Sequence, residues 1–258
     1  MNNNVELTLL SEGQIWGNKK EEQLEAIRKY GTKAAISDLC ILTGSFLPET
    51  RINESKSLRA RTSYFWTKSC SSDNDVIVVN KYGHWENTHR FIRRCVIRPI
   101  IQSNKIFYSL CYNRVKGYND TYEVEFLEYP QCAADLRMQK ILETAYIKGM
   151  NKTGRSYTFD SVKYDDYDTG FKPVTYEEYE YQGKKYIRIR ANSNFGGNKF
   201  KLSNGACYRN GDYVWVEVSP VRWLIDSKTH TLISKYGLVS GIRFLDRNHE
   251  YKGDFSKT

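Results

Sequence analysis

Apolar positions in this chain recur mostly with the two-residue period of strands, interrupted by a few stretches with the longer period of helices. Residues 5–10 read as a short strand. Residues 20–30 read as a helix, with Leu24 and Ile27 on one face and Gly31 as its stop. Residues 33–43 read as a second helix, carrying Ile36, Leu39, Cys40 and Thr43 at helical spacing. After a polar loop at 45–62 come an aromatic strand at 64–70, an apolar strand at 73–80, a turn at 81–84 and a closing strand at 96–101. A further strand is expected at 105–112 and a turn at 118–120. Residues 122–129 alternate as a strand that Pro130 ends, and residues 133–148 form the strongest helical pattern, with Met138, Ile141, Leu142, Ala145 and Tyr146 on one face. Residues 149–174 read as a long loop. Beyond it the pattern is β: a hairpin turning at Gln182 and Gly183, tight turns at Asn204-Gly205 and Asn210-Gly211, strands at 213–218 and 221–225, a turn at 226–229 and strands at 231–234 and 241–245.

One segment escapes both periods. Between Gly83 and Arg98 the chain carries Trp85, His89, Arg90, Phe91, Arg93, Arg94 and Cys95 without order. Ordered strands flanking a chemically mixed stretch predict a scaffold that presents a loop surface over 81–95. Trp and Arg are the residue types that dominate binding hot spots, and Arg beside an aromatic ring also suits phosphate and base contacts. The candidate ligand-binding residues are Tyr82, His84, Trp85, Asn87, His89, Arg90, Arg93 and Arg94. The competing reading is a strand with Phe91 and Ile92 buried and the arginines in water. Trp66 is expected in the core, and Arg98 paired with Asp75.

Tyr64, Trp66, Gly83, Arg98 and Pro99 resemble the closing half of a C-type-lectin-like fold, in the bacterial and phage set related to formylglycine-generating enzymes and to the variable proteins of diversity-generating retroelements. The runs at 215–226 and 232–235 resemble the early strands of a related bacterial domain, but they follow the aromatic strand here, so the resemblance is circularly permuted. It covers about half the chain. It implies an α+β, C-type-lectin-like mixed fold with antiparallel sheets and two to three helices. It also implies a cytoplasmic binding module of bacterial, phage or mobile-element origin. Neither the strands near Trp66 nor those after 210 have enough helix to cover them alone, so one domain over 1–258 is expected, with lobes 1–120 and 121–258 packed together.

Chemistry is harder to find. Enzymes of the resembled set use a cysteine pair or three histidines on iron. Cys70 and Cys95 lack that sequence context, and His84 and His89 have no third histidine nearby. No Gly-x-Ser-x-Gly elbow or phosphate-binding Gly-rich loop occurs. The acidic residues Asp165, Asp166, Asp168, Glu177 and Glu178 read as a solvated face, and Asp73-Asn74-Asp75 as an Asx-type turn without a calcium site. No cofactor or metal is expected. The six cysteines read as reduced thiols packed as small hydrophobes, because no export signal or membrane span is apparent. The formal charge of +9 adds one alternative to a protein ligand: a nucleic-acid or nucleoprotein partner, as for a phage inhibitor of a host defence complex. An enzyme with an unrecognised site is the third reading.

Overall fold

The computed structural model describes residues 7–45, 62–89, 95–102, 123–160, 173–192 and 199–241. The expectations for 105–112, 118–120, 165–168 and 242–245, and for Cys111, lie outside these residues. The described elements, in order, are β1 (Leu7–Leu9), α1 (Glu12–Trp16), α2 (Glu25–Tyr30), β2 (Ala35–Ile36), α3 (Asp38–Leu42), β3 (Phe65–Cys70), β4 (Asp75–Val79), β5 (Trp85–His89) and β6 (Pro99–Gln102). Then follow β7 (Glu123–Ala133), α4 (Leu136–Ile147), β8 (Lys152–Asp160), β9 (Pro173–Tyr181), β10 (Lys184–Arg190), β11 (Phe200–Lys201), β12 (Cys207–Tyr208), β13 (Tyr213–Asp226), β14 (Thr231–Ser234) and β15 (Tyr236–Gly237). The protein is a mixed α+β structure of antiparallel sheets plus one parallel two-stranded pair, with four helices among the described residues rather than two to three.

The spine is β13. It pairs β10 over its first half and β14 over its second, while β7 runs along the opposite edge and overlaps both. One arm of the eight-stranded sheet therefore continues β10–β9–β8, and the other β14–β6–β1. Two separate strands are expected around Ser219-Pro220, yet the structure has a single 14-residue strand. The prolines are absorbed by register shifts after Glu217 and after Pro220, where a missing N–H breaks no ladder bond. Pro130 does not end β7 for the same reason: it sits opposite Val218 at the first shift, and the Gln131 side chain donates to Ser219 O at 2.9 Å and Pro220 O at 3.2 Å in place of backbone bonds.

Residues 152–160 also depart from expectation. They form β8, because Tyr157 and Phe159 point into the core while Ser156 and Thr158 stay exposed. Glu177 is partly exposed and pairs with Lys152 at 3.7 Å, but Glu178 is buried, not solvated. Its carboxylate accepts from Thr153 Oγ1 and Tyr157 Oη, both at 2.7 Å.

The two expected N-terminal helices shorten. Residues 33–43 divide, since β2 pairs in parallel with β15 before Ser37 caps α3. Helix α2 begins at Glu25 rather than 20, and no local side chain caps it. Instead Asp226, 200 residues away, accepts from the Ala26 N–H at 3.0 Å. The aromatic strands do not join the main sheet. β3, β4 and β5 form a separate three-stranded sheet, although β6 does lie in the large one. Residues 96–97 lead from the small sheet into β6: Trp66 N–H donates to Val96 O at 3.0 Å, and Ile97 N–H donates to Val239 O, beyond β15, at 2.8 Å. The largest buried cluster runs from Leu9 to Val239 and includes Phe65, Trp66, Val78, Val216 and Leu224.

Of the cysteines, Cys40 and Cys95 are buried, but Cys70 and Cys207 are exposed rather than packed, and none of the five described cysteines is in a disulfide. Burial pushes the Cys40 thiol up to about 12, so it stays protonated. No described helix is long and apolar enough to cross a membrane.

Candidate binding surface

The recognition segment begins at a hairpin between β4 and β5. Asn80 builds its turn: its backbone accepts from Gly83 N–H at 2.9 Å and donates to His84 O at 2.8 Å. Its side-chain oxygen accepts from the N–H groups of Tyr82 and His84, at 2.9 and 3.1 Å. Gly83 closes the turn with φ +89°, a left-handed conformation open mainly to glycine. The tip then docks on the N-terminal segments. Gly83 O accepts from Thr32 Oγ1 at 2.8 Å and from Trp16 Nε1 at 3.4 Å, and Lys81 O accepts from Thr62 Oγ1 at 3.2 Å.

Substituting Gly83 tests this docking. A Cβ there would lie 2.2 Å from Thr32 Oγ1, whereas Gly31, also left-handed at φ +86°, has nothing within 4 Å. Gly83→Ala is expected to cost about 1–3 kcal/mol from backbone strain, with the clash added. It should destabilise more than Gly31→Ala in chemical denaturation. Equal losses would mean that the tip yields without cost.

On this held tip, Tyr82 is 53% exposed and Trp85 62% exposed. His84 and Asn87 are also exposed, and His89 is half-buried. The expected loop over 81–95 is corrected for its central part: residues 85–89 are strand β5, with Trp85 opposite Val79 and His89 opposite Asp75. Sequence period missed it because the buried side of this sheet is supplied by β4, where Val76, Ile77, Val78 and Val79 are all buried, while Trp85, Glu86 and Asn87 are exposed in succession. Arg90, Arg93 and Arg94, with Phe91 and Ile92, lie outside the described residues. Lys81 Nζ sits 5.0 Å from the Tyr82 ring centre, a cation–π contact. Burial raises the Tyr64 phenol pKa, and Glu86, Cys95 and Tyr82 are close enough to add to the rise. Asn80 Nδ2 donates to Glu86 Oε2 at 3.2 Å. Sequence reading passed over Asn80 and Glu86; an Asn three residues before a Gly turn was the available signal.

Trp66 is buried at 1% exposure, as expected. The expected pairing of Arg98 with Asp75 is replaced by other contacts. Arg98, also 1% exposed, donates from Nε to Ser234 O at 2.9 Å and from Nη1 to Thr32 O at 3.3 Å. Its guanidinium lies 5.5 Å from the Phe65 ring centre. Burial lowers its pKa to about 10, which leaves it charged at neutral pH. Arg98 thus braces Thr32, and Thr32 braces the tip. Asp75 instead closes the turn after β3, accepting from Ser72 Oγ at 3.1 Å. The arginine finds carbonyls because it is buried beneath the tip, away from the turn that holds Asp75.

Among the described residues no cluster of His, Cys, Asp or Glu has the arrangement to hold a metal ion. The surface supplies two exposed aromatic rings, an imidazole and an amide on a braced hairpin. These groups suit contact and hydrogen bonding. Compared with known proteins, the chain matches no family model, no curated protein and no solved structure.

Proposed function

We propose that this protein is a non-enzymatic binding module that engages a protein partner through the β4–β5 hairpin, on a scaffold of C-type-lectin-like kind. The observation that carries the reading is Trp85. An indole 62% exposed, on a hairpin fixed by three hydrogen bonds to its carbonyls, is contact area offered with little ordering cost on binding. Tyr82, His84 and Asn87 extend the same surface, and Arg90, Arg93 and Arg94 continue the chain beyond it.

A photo-crosslinking residue placed at Asn87 tests this. It should capture a discrete protein, and capture should persist after nuclease treatment. Trp85→Ala is expected to weaken that complex by about 2 kcal/mol or more, roughly 30-fold, while leaving stability within about 0.5 kcal/mol. Unchanged capture by the variant would place the interface elsewhere. The charge of +9 supports one second reading, a nucleoprotein partner. Capture that nuclease abolishes, with steep loss of binding as salt rises, would favour it.

A further inference from the structure

On the far arm of the main sheet four cations are paired, while Arg155 and Arg190 are in no ion pair among the described residues. Lys184 pairs with Glu217 at 3.0 Å, Arg188 with Glu143 at 2.7 Å, Lys152 with Glu177 at 3.7 Å, and Lys185 with Glu128. Helix α4, which packs on this arm and supplies Glu143 to one of these pairs, adds three more unpaired cations. Among the described residues its Arg137, Lys140 and Lys148 have no carboxylate within ion-pair distance. At 100° per residue these three share an arc of about 120° with Leu136, Thr144 and Ile147. Leu136 is 52% exposed and Ile147 78% exposed. They stand at the two ends of the cationic stripe, about 16 Å apart at 1.5 Å per residue. Arg137 sits in the first helical turn, just after the N-cap Asp135, at a position where a cation opposes the helix dipole. The chain therefore keeps a positive charge where helix stability disfavours one.

Beside this face runs a groove of about 620 Å³ between α4 and the β9–β10 turn. Ile141, Ala145 and Met150 line it on the helix side and Glu180, Tyr181 and Gln182 on the other, with Lys140 and Lys148 at its edge. We infer that this groove is a second binding site, taking an acidic segment of a partner protein that carries aliphatic anchors between its carboxylates. Charge complementarity selects the carboxylates, and the exposed aliphatic ends select the anchors. A strand bridges 16 Å in about five residues, so a short extended segment suffices. Nucleic acid fits less well. Of the groove's lining side chains one, Tyr181, is aromatic, against the apolar Ile141, Ala145 and Met150, so successive bases find little to stack on while aliphatic side chains find contact. The site is on a different element from the hairpin and does not depend on it.

The test uses a fluorescein-labelled synthetic peptide of alternating Asp and Glu with a leucine near each end, titrated with the full chain and followed by anisotropy. Saturable binding is expected. Lys140→Glu/Lys148→Glu should weaken it roughly tenfold, the sum of a few exposed ion pairs. Ile147→Ser should weaken it without changing its salt dependence, and Trp85→Ala should leave it unchanged. A peptide with Asn and Gln in place of the acids should bind poorly. Arg137→Glu provides a control for folding, since it complements the dipole and should raise the melting temperature while weakening the peptide. Three results would overturn the inference: no saturable binding, equal binding by the charge-reversed protein, or a single-stranded oligonucleotide that binds more tightly and loses affinity on charge reversal. Loss of peptide binding in Trp85→Ala would also overturn it, by moving the peptide to the hairpin.

Discussion

Asp38→Ala is expected to cost about 3–5 kcal/mol, a large share of the roughly 5–15 kcal/mol that holds a domain folded. Asp38 is fully buried at the start of α3. Its carboxylate accepts from Ala133 N–H at 2.8 Å, from Ser203 N–H at 2.9 Å and from Ser203 Oγ. One side chain thereby joins α3, the end of β7 and the turn between β11 and β12. Removing it strands two backbone donors where water cannot replace the acceptor, and each stranded donor costs about 1–3 kcal/mol. Asp38→Asn should cost less, because the amide keeps one acceptor. Urea denaturation measures both, with an unchanged slope showing that the same transition is followed. A loss under about 1 kcal/mol for the alanine variant would mean that the strands at this junction relax freely.

Trp66→Ala is expected to cost a similar amount, about 3–5 kcal/mol, the usual range for deleting a core aromatic. Trp66 lies opposite Val78 in the small sheet and packs in the same cluster as Val216 and Leu224 of the large one. Its loss opens a cavity where the two sheets meet, and the surrounding strands are held by registers that limit collapse. The internal comparison is Trp85→Ala, the same chemical change on an exposed ring, expected within about 0.5 kcal/mol of wild type. If the two variants melted alike, the assignment of one tryptophan to the core and the other to the surface would fail.

What the sequence disclosed follows from the range of the forces involved. The 182–183 hairpin and the turns at 205 and 211 were legible because a glycine with positive φ is a local demand. Helix α4 was legible because its buried Leu142 and its neighbours carry the period within a dozen residues. Trp66 was legible as a large apolar residue within an apolar run. The misread positions depend on distant partners. No local rule places the start of α2, since its cap comes from Asp226. No local rule carries a strand through Pro130 and Pro220, since bulges in two strands and the Gln131 amide compensate together. Arg98 and Asp75 bear complementary charges, yet burial decided that the arginine would meet carbonyls. In the candidate site Trp85, Tyr82 and His84 could be picked by residue type. The strand under them could not, because β4 supplies its apolar side.

The cap that Asp226 provides also has a consequence in time. During synthesis at about 5–20 residues per second, the Ala26 amide waits about 10–40 s for an acceptor encoded 200 positions later. Ser37 waits as long for Leu238, 201 positions on. Throughout that interval Leu24, Ile27, Leu39 and Ile41, all buried in the finished protein, belong to a nascent chain whose docking surface does not yet exist. This N-terminal segment of the polypeptide therefore leaves the ribosome as a client for whatever shields apolar segments in its cell. Its helices become permanent only when the last strands emerge.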